Sequence, residues 1–234
     1  NYTYSGSNDL GEVAWIRGNS GNWANEVKTK LPNELGLYDM SGNVKEWVWD
    51  RFAEYTGETE YDPTGAESGN LRVVRNYSFD YDEEGAFRVF VRDCYSPIWT
   101  QRTLGFRVAR SSGEPRLTKP ATTAQSASSS KDFVLVKGGT FSMGSSSGEK
   151  DEKPVHSVTL SSFYMCDHEV TQAEYKAVTG KNPSYFSGNN KPVEQVSWFD
   201  AIEYCNALSR KEELTPCYTE KDGAYTCNFN ANGY

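Results

Sequence analysis

The sequence predicts an α+β domain of short strands and two helices, with much of the backbone irregular. Aromatic residues make up 14% of the 234 residues while mean hydropathy is -0.70. That polar, ring-rich composition suits loops over a small core better than a helical bundle. Two segments carry helical periodicity, each opened by a capping box, and the other apolar runs have the length of strands.

In residue order, Glu46-Trp47-Val48-Trp49-Asp50 alternates strictly and predicts a strand with both indoles on one face. Leu71–Val74, Phe87–Val91 and Gly105–Ala109 read as further short strands, separated by loops rich in Asp, Glu, Tyr, Ser and Pro. Phe133–Val136 is nearly continuous apolar and predicts a buried strand; Gly138-Gly139 then turns into another at Thr140–Met143. His156–Leu160 alternates as a half-buried strand does, and Phe163–Cys166 continues the sheet. Thr171 and Glu174 form a capping box for a helix over Gln172–Thr179, which Gly180 ends. Ser197 caps a second helix, Trp198–Lys211, with Ala201, Tyr204, Cys205 and Leu208 on one apolar face.

Cys217 and Cys227 flank a polar run centred on Asp222-Gly223, a hairpin-turn signal. Their sulfurs either face each other across adjacent strands as a disulfide or stay as two free thiols. Cys166 and Cys205 sit in apolar contexts and read as core residues, and Cys94 has no evident partner. From Ser111 to Ser130 the chain is rich in Ser, Thr, Ala and Pro without apolar period, so residues 111–132 read as a linker or joined tails.

The net charge of -8 argues against a nucleic-acid partner, because a chain this acidic would release few counterions from phosphates. No stretch approaches the roughly 20 apolar residues of a membrane span. No phosphate loop, nucleophile elbow or metalloprotease helix appears.

Four stretches resemble the formylglycine-generating-enzyme (sulfatase-modifying factor) domain family. They are Phe133 to Gly144; Glu169 to Tyr175 followed by Pro192 to Trp198; Asn33-Glu34-Leu35-Gly36-Leu37-Tyr38-Asp39-Met40-Ser41-Gly42-Asn43 and on to Trp47; and Leu104 to Val108. The resemblance implies a C-type-lectin-like α+β fold. It also implies an unusual order: residues 133–234 match the first half of the domain and residues 1–110 the second. Either one domain is written in reverse order, or halves of two tandem copies adjoin.

The family oxidises a substrate cysteine to formylglycine with molecular oxygen and a copper ion held by two cysteines, thiolates being suited to a cuprous ion. The corresponding stretch here, Arg75 to Ala86, contains no cysteine, and Cys94 lies beyond the next predicted strand. A non-catalytic protein is therefore expected; the alternative is an oxidase of this class acting on a sulfatase cysteine through relocated chemistry. The chain's two histidines do not form the iron-binding cluster of the related sulfoxide synthases. His156 reads as packed within its strand, and His168 as a surface or capping residue. The family also holds calcium near a segment matching Gly42-Asn43-Val44-Lys45-Glu46, which implies Asn43 and Glu46 as oxygen ligands. The other reading is a turn in which Asn43 bonds the backbone and Glu46 pairs with a base.

Where the family has Arg-Gly-Gly-Ser-Trp, this chain has Arg75-Asn76-Tyr77-Ser78-Phe79. Tyr77, Asp80, Tyr81 and Asp82 follow, and a second patch holds Asp93, Cys94, Tyr95, Ser96, Ile98, Trp99, Thr100, Gln101 and Thr103. Large rigid aromatics among small polar residues are what paratopes use. The arrangement resembles the variable proteins of diversity-generating retroelements, whose ligand contacts are altered at adenines. Asp93, Cys94, Tyr95, Ser96, Ile98, Thr100 and Thr103 could each descend from an asparagine codon by such changes; Trp99, Gln101, Glu83 and Glu84 could not. The expectation is a bacterial display protein at the cell surface or in the periplasm, held by a lipid anchor, binding an external protein or glycan over residues 76–103.

Overall fold

The computed structural model describes residues 2–113 and 132–234; most of the predicted linker, residues 111–132, lies outside the described residues. The fold is α+β. Two short helical turns, α1 (Leu10–Val13) and α2 (Arg17–Ser20), precede the first strand. The strands follow as β1 (Lys45–Arg51), β2 (Glu60–Tyr61), β3 (Arg72–Arg75), β4 (Arg92–Tyr95), β5 (Leu104–Phe106) and β6 (Ala109–Ser111). After the undescribed stretch come β7 (Phe133–Val136), β8 (Gly139–Met143), β9 (His156–Leu160) and β10 (Phe163–Cys166). Helices α3 (Gln172–Thr179) and α4 (Trp198–Lys211) and the hairpin strands β11 (Tyr218–Lys221) and β12 (Ala224–Cys227) complete it.

Both long helices start where their caps dictate. The Thr171 hydroxyl accepts from the Glu174 N–H while the Glu174 carboxylate accepts from the Thr171 N–H at 2.8 Å, and Ser197 with Asp200 repeats the motif. Gly180 ends α3 in the left-handed region at φ 75°. The hairpin turns through Asp222 at φ 53° and Gly223 at φ 79°, as a two-residue mirror-image turn requires.

The central sheet has the order β4-β3-β1-β5, with β1 parallel to β5 and the other neighbours antiparallel. Gly105 in β5 is obligatory, since a Cβ there would lie 2.4 Å from the Val193 carbonyl oxygen. Two smaller sheets mix strands from either side of residues 114–131: β10 lies between β6 and β7, and β9 between β2 and β8. The main core gathers Trp47, Phe106, Tyr175, Trp198 and Tyr204, with the Tyr175 and Tyr204 rings stacked at 5.4 Å. Trp47 and Trp49 both pack toward α4, so the predicted one-sided strand is present.

Several expectations are corrected. Phe87–Val91 is not a strand: Glu84–Phe87 is a 3-10 turn that buries Phe87 in a separate cluster with Tyr4, Leu10 and Val13, and Val89 is exposed. Pairing with β3 begins only at Arg92, opposite Arg75. Among the described residues Phe133–Val136 is an edge strand, paired with β10 alone, with Leu135 exposed. Gly105–Ala109 divides into β5 and β6 at Arg107, where the chain leaves one sheet for another and the guanidinium bonds the carbonyls of Tyr38 and Cys166. His168 is buried rather than on the surface. The hairpin register places Cys227 opposite Tyr218, and Cys217 is a buried free thiol, so the disulfide alternative is not realised.

Candidate functional site

Strands β1 and β4 flank β3, and the register sets Trp47, Val74 and Asp93 in one row. Two-residue alternation places Lys45 on the face of Trp47, and Tyr95 on that of Asp93. The lysine therefore reaches over β3. Its Nζ donates to Asp93 Oδ2 at 2.9 Å and to the Tyr95 hydroxyl at 2.5 Å, while that hydroxyl donates to Asp93 Oδ2 at 2.7 Å.

Rings enclose the ammonium. Nζ lies 4.3 Å from the centre of the Tyr77 ring and 4.9 Å from that of Tyr95, within cation–π range. Tyr81 packs on Tyr77 at 4.9 Å, and Trp99 stacks on Tyr95 at 5.5 Å with 15° between the planes. A turn closed by the Trp99 N–H on the Ser96 carbonyl, at 3.0 Å, holds the indole there with 49% of its surface exposed. The result is a continuous row: Tyr81, Tyr77, the Lys45 ammonium, Tyr95 and Trp99.

The row sets the charge states within it. Burial alone would raise the Asp93 carboxyl, but the Lys45 ammonium and the Tyr95 hydroxyl outweigh it and hold it below the usual range. Burial, and then the hydrogen bond to Asp93, push the Tyr95 phenol up. Burial also raises Tyr77, against the pull of Lys45.

Asn76 fixes the backbone beneath the row. It occupies the left-handed region at φ 69°, which asparagine tolerates better than most residues. Its Oδ1 accepts from the Gly42 N–H at 2.6 Å and its Nδ2 donates to the carbonyls of Gly42 and Val44, at 2.5 and 3.1 Å. The turn it staples is tight: a Cβ on Gly42, at φ 87°, would lie 2.6 Å from the Trp15 carbonyl oxygen.

The structure thus brings Tyr77, Tyr81, Asp93, Tyr95 and Trp99 together. Asp80 follows on the segment of Tyr77, one carboxylate oxygen accepting from the Ser78 hydroxyl at 2.8 Å, and its charge adds to the rise of the Tyr95 phenol. Asp82 is exposed and 3.5 Å from Arg17; Ile98 and Thr100 are exposed on the loop, and Ser96 and Gln101 are half-buried in it. Two residues do not join the face. Cys94 sits opposite Val73, between Asp93 and Tyr95, and alternation turns it away; Thr103 is 7% exposed, its carbonyl accepting from the Lys45 N–H. Lys45 is the site residue that the sequence reading missed. Its one signal is a lysine inside an otherwise buried, alternating strand.

Neither family metal fits the residues expected to hold it. The Arg75–Ala86 stretch offers copper no thiolate. Asn43 Oδ1 accepts from the Asn25 N–H at 3.0 Å, and Asn43 Nδ2 donates to Glu169 Oε2 at 2.6 Å. Glu46 meets Arg107 with both carboxylate oxygens, at 2.8 to 3.3 Å. These are the contacts of a capped turn and a buried ion pair, the second of the two sequence readings. Elsewhere Cys166, Asp167 and His168 bring one donor atom each within 4.8 Å, a group that could hold a metal ion. His168 already bridges Asp167 at 2.5 Å and Glu174 at 3.2 Å. Burial would lower its pKa, but Cys166, Glu174 and Asp167 together raise it to about 11. On the core side of β1 a cavity of about 510 Å³ is lined by Trp49, Trp198, Tyr218 and Phe229 among others; none of the predicted ligand contacts lines it.

The Sulfatase-modifying factor enzyme 1-like domain matches residues 2–112 and 118–227. The chain is similar to "Chaperone protein LppX" of Paenibacillus barcinonensis, 47% identical over 120 residues, covering 45% of this chain and 41% of that protein. It is also similar to a formylglycine-generating enzyme of Thermomonospora curvata, 39% identical over 90 residues, covering 36% of this chain and 30% of the enzyme. Among solved structures, Treponema denticola variable protein 1 is 39% identical and covers 45% of this chain and 40% of its own, with a TM-score of 0.42. The chain spans less than half the length of each. No helix among the described residues is long and apolar enough to cross a membrane.

Proposed function

The chain belongs to the family of sulfatase-modifying factor enzyme 1-like domains, and within it we propose a non-catalytic role: the display of a ligand-binding face on a C-type-lectin-like scaffold. The face comprises Tyr77, Asp80, Tyr81, Asp82, Asp93, Tyr95 and Trp99, with the loop residues Ser96, Ile98, Thr100 and Gln101. The observation that carries it is the aromatic row itself. Trp99 stands half-exposed on a rigid support of Tyr95 and Lys45, in a family member without the copper-binding cysteines. Pre-ordered aromatics lose little entropy on binding, so they contribute affinity efficiently. The ligand is an external protein or glycan, met at the cell surface or in the periplasm, where a lipid anchor would hold the chain. Residues 133–234 and 1–110 act as the two halves of one domain, a reading supported by the sheets they share.

Descent from a diversity-generating retroelement belongs to the same proposal, and sequencing the gene from several isolates tests it. Differences clustered at adenine-bearing codons of residues 76–103, with a template copy and a reverse transcriptase nearby, are expected. An invariant segment without a template copy would remove that origin. No step uses a metal. A structural calcium at Asn43 and Glu46 would have to displace the Asn25 and Arg107 donors, so a rise in Tm with added calcium would be needed to restore it. A second reading, an accessory chaperone domain, rests on the similarity to the Paenibacillus protein. It expects suppressed aggregation of unfolded clients that is indifferent to Trp99→Ala.

A further inference from the structure

The charge on the face narrows its ligand. Lys45 is the cation inside the aromatic row, and Asp93 already pairs with it at 2.9 Å. The rim beyond it is negative: Asp80, half-buried and accepting from the Ser78 hydroxyl, with Asp82 and Glu83 exposed on the following turn. Arg17 offsets Asp82 only across 3.5 Å of solvent-exposed surface. Arg102, exposed in the same loop as Trp99, sets one positive charge against the three carboxylates of Asp80, Asp82 and Glu83. Trp99 uses one ring face to stack on Tyr95 and is half-exposed, so part of its π surface remains for a ligand.

Indole π surface beside carboxylates stabilises a cation, above all a planar one. A guanidinium can stack on the ring while its N–H groups meet a carboxylate. An anionic ligand would face Asp80, Asp82 and Glu83 together. A neutral glycan could stack but would gain nothing from the charge.

Resting on the display reading above, we propose that this face takes a cationic polypeptide segment, an arginine side chain stacking on Trp99 and pairing with Asp80. The chain's own Lys45, held between Tyr77 and Tyr95 against Asp93, is the same arrangement met internally.

The test is titration of the whole chain with hexa-arginine, hexa-glutamate and maltohexaose, followed by calorimetry at two salt concentrations, for wild type, Trp99→Ala and Asp80→Asn. Hexa-arginine should bind, weaken with salt, and lose about tenfold in affinity in each variant, while hexa-glutamate does not bind. Hexa-arginine binding that ignores both substitutions would be diffuse attraction to an acidic protein and would overturn the inference. Trp99-dependent binding of hexa-glutamate or maltohexaose without hexa-arginine would overturn it too, yet leave the display face standing. If no probe responds to Trp99→Ala, the inference and the display reading fall together.

Discussion

The Lys45 ammonium and the Asp93 carboxylate meet at 2.9 Å across the intervening strand β3, with 10% and 29% of their side-chain surfaces exposed. Each charge is partly removed from water and compensated by the other, so neither is well placed alone. Breaking a fully buried pair by removing one member costs about 3–5 kcal/mol, and an exposed one under about 1. Lys45→Met should fall between, at about 2 kcal/mol in urea denaturation. Lys45→Met with Asp93→Asn should cost less than the sum of the single changes. Strict additivity would show that the pair contributes nothing beyond its packing.

Trp99 and Tyr95 should separate in a thermal melt. Trp99→Ala removes a half-exposed ring at the end of the row and should leave Tm within about 2 °C of wild type. Tyr95→Ala takes away a half-buried ring and the hydroxyl shared by Lys45 and Asp93, and should lower Tm by several degrees. Equal losses from both would place Trp99 in the core and withdraw it from the binding face.

Asn76 offers a backbone test. Asn76→Gly keeps access to φ 69° but loses the bonds to Gly42 and Val44; Asn76→Ala loses both. The expected order of stability is wild type, then glycine, then alanine, with alanine about 2–3 kcal/mol below wild type by chemical denaturation. Alanine equal to glycine would mean that the left-handed conformation costs nothing there.

His168 should give stability a pH dependence of defined sign. Its folded-state pKa is raised to about 11 from an ordinary 6.5. The stabilisation from its protonated form is therefore complete below about pH 6.5 and declines as pH rises toward 11. The gap between wild type and His168→Gln should be widest near pH 6 and narrow by pH 9, since the other titrating groups are common to both chains. A gap that widens with pH would mean that His168 is neutral in the fold.

What the sequence disclosed was mostly local. Thr171 with Glu174, Ser197 with Asp200 and the Asp222-Gly223 turn complete their hydrogen bonds within a few residues, so their spacing is enough. The Phe87–Val91 run misled because apolar spacing does not say which cluster receives Phe87; the receivers, Tyr4, Leu10 and Val13, lie far away in sequence. Lys45 was invisible for a related reason. A lone lysine reads as solvated until a carboxylate 48 residues on comes to meet it. The aromatics of residues 77–99 were legible as a set, whereas the turning-away of Cys94 and the burial of Thr103 follow from strand register and loop packing.

Because β9 and β10 each lie between a strand from before Gly113 and one from after Asp132, no described ladder runs along the backbone that joins those residues. Proteolytic nicking within residues 114–131 would cut no described strand. Each fragment on its own would expose raw strand edges and precipitate or stay uncoiled, but the two mixed should dock and regain the native spectrum. On the proposed one-domain reading, the two fragments would complement each other as the halves of a split protein do.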